Sequence, residues 1–387
     1  GAFQGGDWSA TDALVADPNV PSRVWYGGIQ GVGYIENGVI TENALDGISG
    51  TAGVQDIEIA VDGSYMLLST TNGRVYRSTD FATTETVSGS ANSPAIPQGF
   101  GRCRVAISPD DVNSAYALLA TSGSQFGGVF HSADGGQTWD EIWPSGVDGY
   151  DICPTNNQAR YDLALGVKKG DPGIAYVGGQ AFWRCGPSYQ AEQAATMGGG
   201  AGNPYYVHAD VHEVLFTPGG TMYVATDGGI FRSQDGGETY QACNRGLQIT
   251  QFYGIAYGPT SEAIGGAQDN GTSLIPGDGT FFNDMDAADV FGGDGFDCAL
   301  SQATGLQEGV PFMATSQNGV LGRGFYVSGA PFTQGGSFYD ECIVDILADD
   351  GTIGGFYTCM NLYENFNDEN SGMSVPLVNP YDETVED

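Results

Sequence analysis

A strand–turn–strand unit with an aromatic signature recurs eight times along this 387-residue chain, and a repeat of that kind decides the architecture before any single side chain does. The third to fifth copies read Gly-Gly-Val-Phe-His-Ser over 127–132, Gln-Ala-Phe-Trp-Arg-Cys over 180–185 and Gly-Gly-Ile-Phe-Arg-Ser over 228–233. Aligned at the residue after the aromatic pair, the anchors are Glu36, Ser78, Ser132, Cys185, Ser233, Ile275, Ser328 and Asn365, between 37 and 54 residues apart. Upstream of each lies a second repeated strand: Val24–Gly28, Tyr65–Thr70, Ala115–Thr121, Ile174–Gly179, Met222–Thr226, Ala263–Gln268, Phe312–Gln317 and Gly355–Met360. Upstream again is a third: Ala13–Asp17, Ile57–Asp62, Val105–Asp110, Leu163–Lys168, Val214–Pro218, Gly254–Pro259, Cys298–Gln302 and Ile343–Ala348.

The period-2 patterning and the β-branched and aromatic enrichment read as strands. Asn72-Gly73, Asp227-Gly228 and Asn318-Gly319 stand where a two-residue hairpin turn needs positive φ. A repeat near 47 residues suits a blade of four short strands, so the expected fold is an all-β propeller of eight blades, or seven if the first or last set closes another blade. The repeat runs unbroken from about residue 10 to residue 380. That argues for one domain over 1–380, with an acidic tail or linker at 381–387.

Three anchors open a further motif. Ser132-Ala-Asp134-Gly-Gly136-Gln-Thr-Trp139 and Ser233-Gln-Asp235-Gly-Gly237-Glu-Thr-Tyr240 are full copies, and Ser78-Thr-Asp80-Phe-Ala-Thr-Thr is a degenerate one. The Asp can accept backbone N–H bonds inside the turn, the glycines permit left-handed φ, and the closing aromatic can pack between sheets. On these residues the chain resembles the Asp-box, or bacterial neuraminidase repeat, β-propellers. Residues 206–272, with His208-Ala-Asp-Val-His212, Tyr223 through Ser233, Asn244 through Tyr253 and Gly266 through Thr272, are similar to secreted bacterial propellers of the sortilin-like and xyloglucanase-like classes, and Gly292 through Phe296 continues the likeness. The resemblance implies a fold rather than an activity, because such modules serve sialidases, glycoside hydrolases, sorting receptors and proteins without chemistry.

Charge narrows the partners. Asp and Glu number 47 against 12 Lys and Arg, and the formal charge of −35 repels nucleic acid and anionic membranes. A surface adapted to salt, calcium held by Asp-Gly and Asn-Gly loops, and a cationic partner are three readings of this acidity. No EF-hand spacing is present, so calcium sites would be assembled from separate loops. Seven cysteines suggest an oxidising compartment. A hairpin through Ala348–Ile353 would set Cys342 opposite Cys359, and Cys153 with Cys185 could staple the loop Asp151–Asn157. Small buried thiols are the alternative. The polar start at Gly1 reads as that of a mature or trimmed chain, and no apolar run is long enough for a membrane span, so the expected setting is extracellular or cell-surface.

One constellation has metal-ligand chemistry. If His208-Ala-Asp210-Val-His212 is extended, period 2 places His208, Asp210 and His212 on one face, directed by a blade's innermost strand toward the central channel. Two imidazoles and a carboxylate suit zinc or iron, and His–Asp hydrogen bonds explain the same residues without metal. Carboxylates also gather near inner strands or turns: Asp56, Asp162, Asp210, Asp227, Asp269, Asp294 and Asp297. A polysaccharide-active hydrolase would draw its acid and base from Asp210, Asp269 and Asp294, which serve equally as turn acceptors. Sialidase chemistry needs an arginine cluster, but three of the ten arginines, Arg77, Arg184 and Arg232, fall at the repeated post-aromatic position, where blade packing occupies them. With three histidines and no nucleophile elbow, a catalytic triad is not expected. Twenty Tyr, nineteen Phe and five Trp exceed what the turns consume, and segments such as Pro204-Tyr-Tyr206 and Thr280-Phe-Phe282 could stack on glycans or on another protein subunit. The sequence thus favours a non-enzymatic interaction, adhesion or self-assembly module, with a xyloglucanase-like hydrolase as the alternative.

Overall fold

A computed structural model describes residues 11–326, apart from 49–51, 90–94, 148, 155–156, 201, 246, 248–249, 260, 276–286, 303–309 and 318–320. These residues form seven antiparallel sheets, six of four strands and one of three, each ordered as its strands follow in sequence. The fold is an all-β propeller with the sheets as its blades. The last repeat, Ile343–Ala348 with Gly355–Met360 and Asn365, lies outside the described residues, as do the anchor Ser328 and the pair Cys342 and Cys359.

The sheets fall into two compact units, one ending at Arg245 and the other beginning at Gly246. The first unit holds five sheets, whose first strands are Thr11–Ala16, Val54–Ile59, Arg102–Ile107, Ala164–Val167 and Val211–Phe216. These five pack side by side as the inner strands of their blades. The second unit holds two sheets beginning at Phe252–Tyr257 and Cys298–Leu300.

Within each unit, hydrophobic cores lie between successive sheets. The strand Ala115–Ala120 shows why a continuous apolar run is needed: Ala115, Ala117 and Leu119 pack toward the second sheet, while Tyr116, Leu118 and Ala120 pack toward the fourth. Both faces are buried, so alternation sorts the side chains between two cores rather than between core and water. Met66 and Leu68 likewise face the first sheet and Leu67 the third. Each such aliphatic side chain withdrawn from water contributes about 1.5–3 kcal/mol.

The Ser-x-Asp turns tie one sheet to the next. Asp134 Oδ1 accepts the N–H groups of Gln137 at 3.0 Å and Thr138 at 2.8 Å, and Thr138 Oγ1 donates to its Oδ2 at 2.6 Å. Ser132 Oγ accepts the Gly136 N–H at 2.8 Å, and Trp139 Nε1 donates to the Gly136 carbonyl at 3.1 Å. The turn at Ser233 repeats this with Asp235, Glu238, Thr239 and Tyr240. Gly136 and Gly237 both take left-handed φ, 81° and 90°. A Cβ on Gly237 would overlap the Tyr176 hydroxyl of the preceding sheet, and that hydroxyl donates to the Gly236 carbonyl at 2.6 Å. Arg77 Nε makes the corresponding bond to the Gly135 carbonyl at 2.8 Å.

Three expectations need correction. Cys153 and Cys185 are separate thiols, as are Cys103, Cys243 and Cys298. Cys185 pairs across its sheet with Ala175 at one end of the strand Ala175–Gly178, whereas the Cys153 Sγ lies against Gly179 just past the other end. Four residues of extended chain separate them by about 13 Å, twice what a disulfide spans. Both thiols pack in one core as small hydrophobes. In the Asp227-Gly228 turn the left-handed residue is Gly229, φ 106°, and neither central residue adopts positive φ. Finally, the inner strands Thr11–Ala16, Val54–Ile59, Arg102–Ile107, Val211–Phe216 and Phe252–Tyr257 start two or three residues earlier than their apolar patterns indicate. Backbone pairing continues there past residues that break the apolar pattern, such as Asp12, Asp56, Arg104 and Glu213. Except in the third sheet, it does so by way of a bulge that leaves Asp12, Gln55, His212 or Tyr253 as the extra residue.

Candidate functional site

The five inner strands of the first unit enclose a cavity of about 460 Å³. Asp12, Asp56, Glu58 and Glu213 bring four carboxyl groups to its lining, Arg104 the single guanidinium, and Leu14 and Leu215 aliphatic surface. Leu14 and Leu215 stay 67% and 60% exposed, high for side chains of their type. Arg104 organises one side. Its Nη1 lies 3.2 Å from Asp56 Oδ1, its Nη2 3.9 Å from Glu213 Oε2, and its Nε donates to the Leu163 carbonyl at 3.0 Å. Asp56 Oδ2 accepts the Val105 N–H at 2.8 Å, which fixes the carboxylate. Glu58 has no such support: burial pushes its carboxyl up to about 8, and Asp56 and Glu213 add to the rise.

Beside Arg104, Arg102 anchors the approach to the fourth sheet, its Nη1 donating at 2.7 Å to both the Arg160 and Tyr161 carbonyls. That holds the segment Gln158–Leu163, which delivers Asp162 to a second cluster with Asp210, His212 and Asp227. Each member has a local reason for its position. Asp210 takes left-handed φ, 59°, as the chain turns into the fifth inner strand. His212 is the bulged residue after it, and the bulge re-aims the imidazole so that Nε2 lies 2.6 Å from Asp227 Oδ1 in the next turn and 3.7 Å from Asp162 Oδ1. Gln158 Nε2 donates to Asp210 Oδ1 at 2.7 Å and also to Asp162 Oδ2. Tyr161 stands edge-on to the His212 ring at 5.2 Å.

The electrostatics follow from crowding. The Asp162 side chain is fully buried, and burial raises its pKa. Burial, the charge of Asp162 and a hydrogen bond between the two carboxyls push Asp210 up to about 7. The two therefore share a proton near neutrality. His212 is raised, first through its hydrogen bond to Asp227. The assembly is a carboxyl–carboxylate pair beside an imidazole–carboxylate pair, able to exchange protons.

The sequence-marked residues divide unequally. Asp210 and His212 meet Asp162 and Asp227, but the His208–Asp210 stretch is not extended, because left-handed Asp210 breaks the period-2 geometry. His208 turns instead to the Ala209 carbonyl, 3.0 Å from its Nδ1, and packs over Gly228. Asp269 and Asp294 belong to the second unit, where Asp294 Oδ1 accepts the Asp269 N–H at 2.8 Å as a turn acceptor. His131 lies 3.1 Å from Ser114 Oγ and against Tyr116. Arg184 pairs with Glu192 and Glu238, and Arg232 with Gln241. Sequence reasoning missed Glu58, Arg104, Glu213, Gln158 and Tyr161. Charges at alternate positions of otherwise apolar strands, as in Asp56/Glu58 and Arg102/Arg104, were the available signal.

No family model and no curated protein matches the sequence. Among solved structures, the chain is similar to the Niastella koreensis GH74 enzyme, with 17% identity and a TM-score of 0.35 over 83% of this chain and 49% of that one. It thus spans about half the length of that enzyme. It is also similar to YCF48 from Cyanidioschyzon merolae, at 12% identity and TM-score 0.40 over 79% and 92% of the two chains. The β-propeller domain of Cps50 (Swd1) from Myceliophteria thermophila matches at 9% identity and TM-score 0.40 over 84% and 96%.

Proposed function

We propose that this protein is a non-enzymatic, extracellular or cell-surface propeller of the Asp-box kind, which binds a protein partner through the cavity of its first unit. The observation that carries this reading is the lining itself. Four carboxyl groups, one guanidinium and two exposed leucines share it. Such a surface is complementary to an aliphatic cation, a lysine side chain or a basic chain terminus, which buries its methylenes on Leu14 and Leu215 and sets its charge among the carboxylates. The net charge of −35 would speed the encounter and make it salt-sensitive.

Titration calorimetry with a lysine-rich peptide tests this. Binding should weaken steeply with added salt and by about tenfold or more in an Asp12→Asn/Glu213→Gln double variant. Equal heats for wild type and double variant would overturn it. A second reading, as a polysaccharide-active glycoside hydrolase, draws on Asp210, whose raised carboxyl lies in the range of a general acid. The mechanism asks for a second carboxyl about 5–10 Å away across the sugar, whereas Asp162 hydrogen-bonds Asp210 directly. Release of reducing ends from xyloglucan, abolished by Asp210→Asn, would favour that reading.

A further inference from the structure

We infer that a cation entering the cavity of the first unit displaces the proton of Glu58, so that the site exchanges a proton for its ligand and holds that ligand less tightly as the medium turns acidic. This deepens the cavity reading above and rests on it. The lining supplies the geometry. Asp56 and Glu58 stand two residues apart on the inner strand Val54–Ile59, and period 2 brings both carboxyls to the cavity. The one guanidinium of the lining is committed elsewhere: Arg104 directs Nη1 to Asp56 Oδ1 at 3.2 Å, Nη2 toward Glu213 Oε2 at 3.9 Å and Nε to the Leu163 carbonyl at 3.0 Å. Arg102, on the same strand, is held by the Arg160 and Tyr161 carbonyls. Among the described residues, Glu58 has neither a hydrogen bond nor an ion pair.

The groups that share the lining with it are Asp56 on its own strand, Asp12 on the first inner strand, Arg104 on the third and Glu213 on the fifth, while the fourth, Ala164–Val167, brings no titratable side chain. From the second sheet, the Tyr65 hydroxyl donates to the Val112 carbonyl at 2.7 Å, and burial raises its pKa and keeps it neutral. Glu58 therefore meets burial and like charge, and a proton is the counter-charge it takes from water, which is why its carboxyl rises to about 8. An ammonium group supplies the same charge with three N–H donors, on a methylene stem that Leu14 and Leu215 can cover. The two occupants exclude each other. The O–H bond of Glu58 breaks, its proton passes to solvent, and the carboxylate left behind accepts from an ammonium that stays charged throughout. Each ligand bound then releases close to one proton, and affinity rises by up to about tenfold per pH unit until the empty site is itself ionised.

The probe is N-acetyl-pentalysine amide, whose blocked terminus leaves no amine that titrates below about pH 9. Calorimetry of the full chain at pH 7 in PIPES and in ACES, buffers of different ionisation enthalpy, counts the protons released, and titrations from pH 6 to 9 at constant ionic strength give the slope. Release of about 0.5–1 proton per peptide is expected, with affinity at pH 8 about fivefold or more above that at pH 6.5. Glu58→Gln keeps the shape and cannot ionise, so it should still bind through Asp12 and Glu213 while losing both the proton release and the pH dependence. The wild-type proton count decides the matter even if that variant fails to fold. Binding without proton release and with equal affinity from pH 6 to 9 would overturn this inference alone, as would release that persists in Glu58→Gln. Absence of binding at every pH would overturn the cavity reading and this inference with it.

Discussion

Single carboxylates in this protein differ because their donors differ. In the turn at Ser233, burial opposes the charge on Asp235, but Thr239, Ser233 and the Glu238 N–H outweigh it and lower its pKa to about 2. A carboxylate whose folded pKa is depressed contributes stability above its unfolded pKa, and that stability is lost as pH falls from about 4 through 2. Replacing Asp134 by Ala, which strands two backbone N–H groups and the Thr138 hydroxyl, should cost about 1–3 kcal/mol in urea unfolding. Glu58 behaves oppositely. Its raised pKa means that the folded state binds a proton the unfolded chain has released, so stability should fall as pH rises from about 4.5 to 8. Melting temperatures between pH 5 and 9 should show that decline in the wild type and a flatter profile in Glu58→Gln.

At the scale of strands, the sheet-to-sheet cores carry the energy. Leu118, fully buried between the third and fourth sheets, should cost about 2–5 kcal/mol when cut to Ala, measured by denaturant midpoint. The strand pattern that places it was readable because both faces of that strand are apolar. The starts of the inner strands were not, since bulges such as that at His212 depend on pairing with a partner strand and leave no local signature. Cysteine pairing failed for a related reason: Cys153 and Cys185 share a core but lie beside opposite ends of the strand Ala175–Gly178. Alkylation in denaturant without reductant should therefore modify Cys103, Cys153, Cys185, Cys243 and Cys298. A cross-linked 153–185 peptide would contradict the structure.

For the whole molecule, repeat spacing and charge were properties of the chain itself. Eight recurrences of one short pattern implied repeated sheets, because each unit buries its apolar faces only by stacking on its neighbours. A charge of −35 repels polyanions at long range, and that expectation too was legible from composition alone. Within the Ser-x-Asp turns, donors and acceptors lie two to four residues apart, so local sequence specified them. The cavity and the cluster of Asp162, Asp210, His212 and Asp227 could arise only in three dimensions. Asp162 meets His212 across 50 positions of sequence, and Arg104 meets Asp56 across 48. Those encounters depend on how neighbouring sheets stack and on a left-handed residue and a bulge that re-aim two side chains. Sequence determined which carboxylates were present; tertiary packing decided which of them would be buried together and which would share a proton.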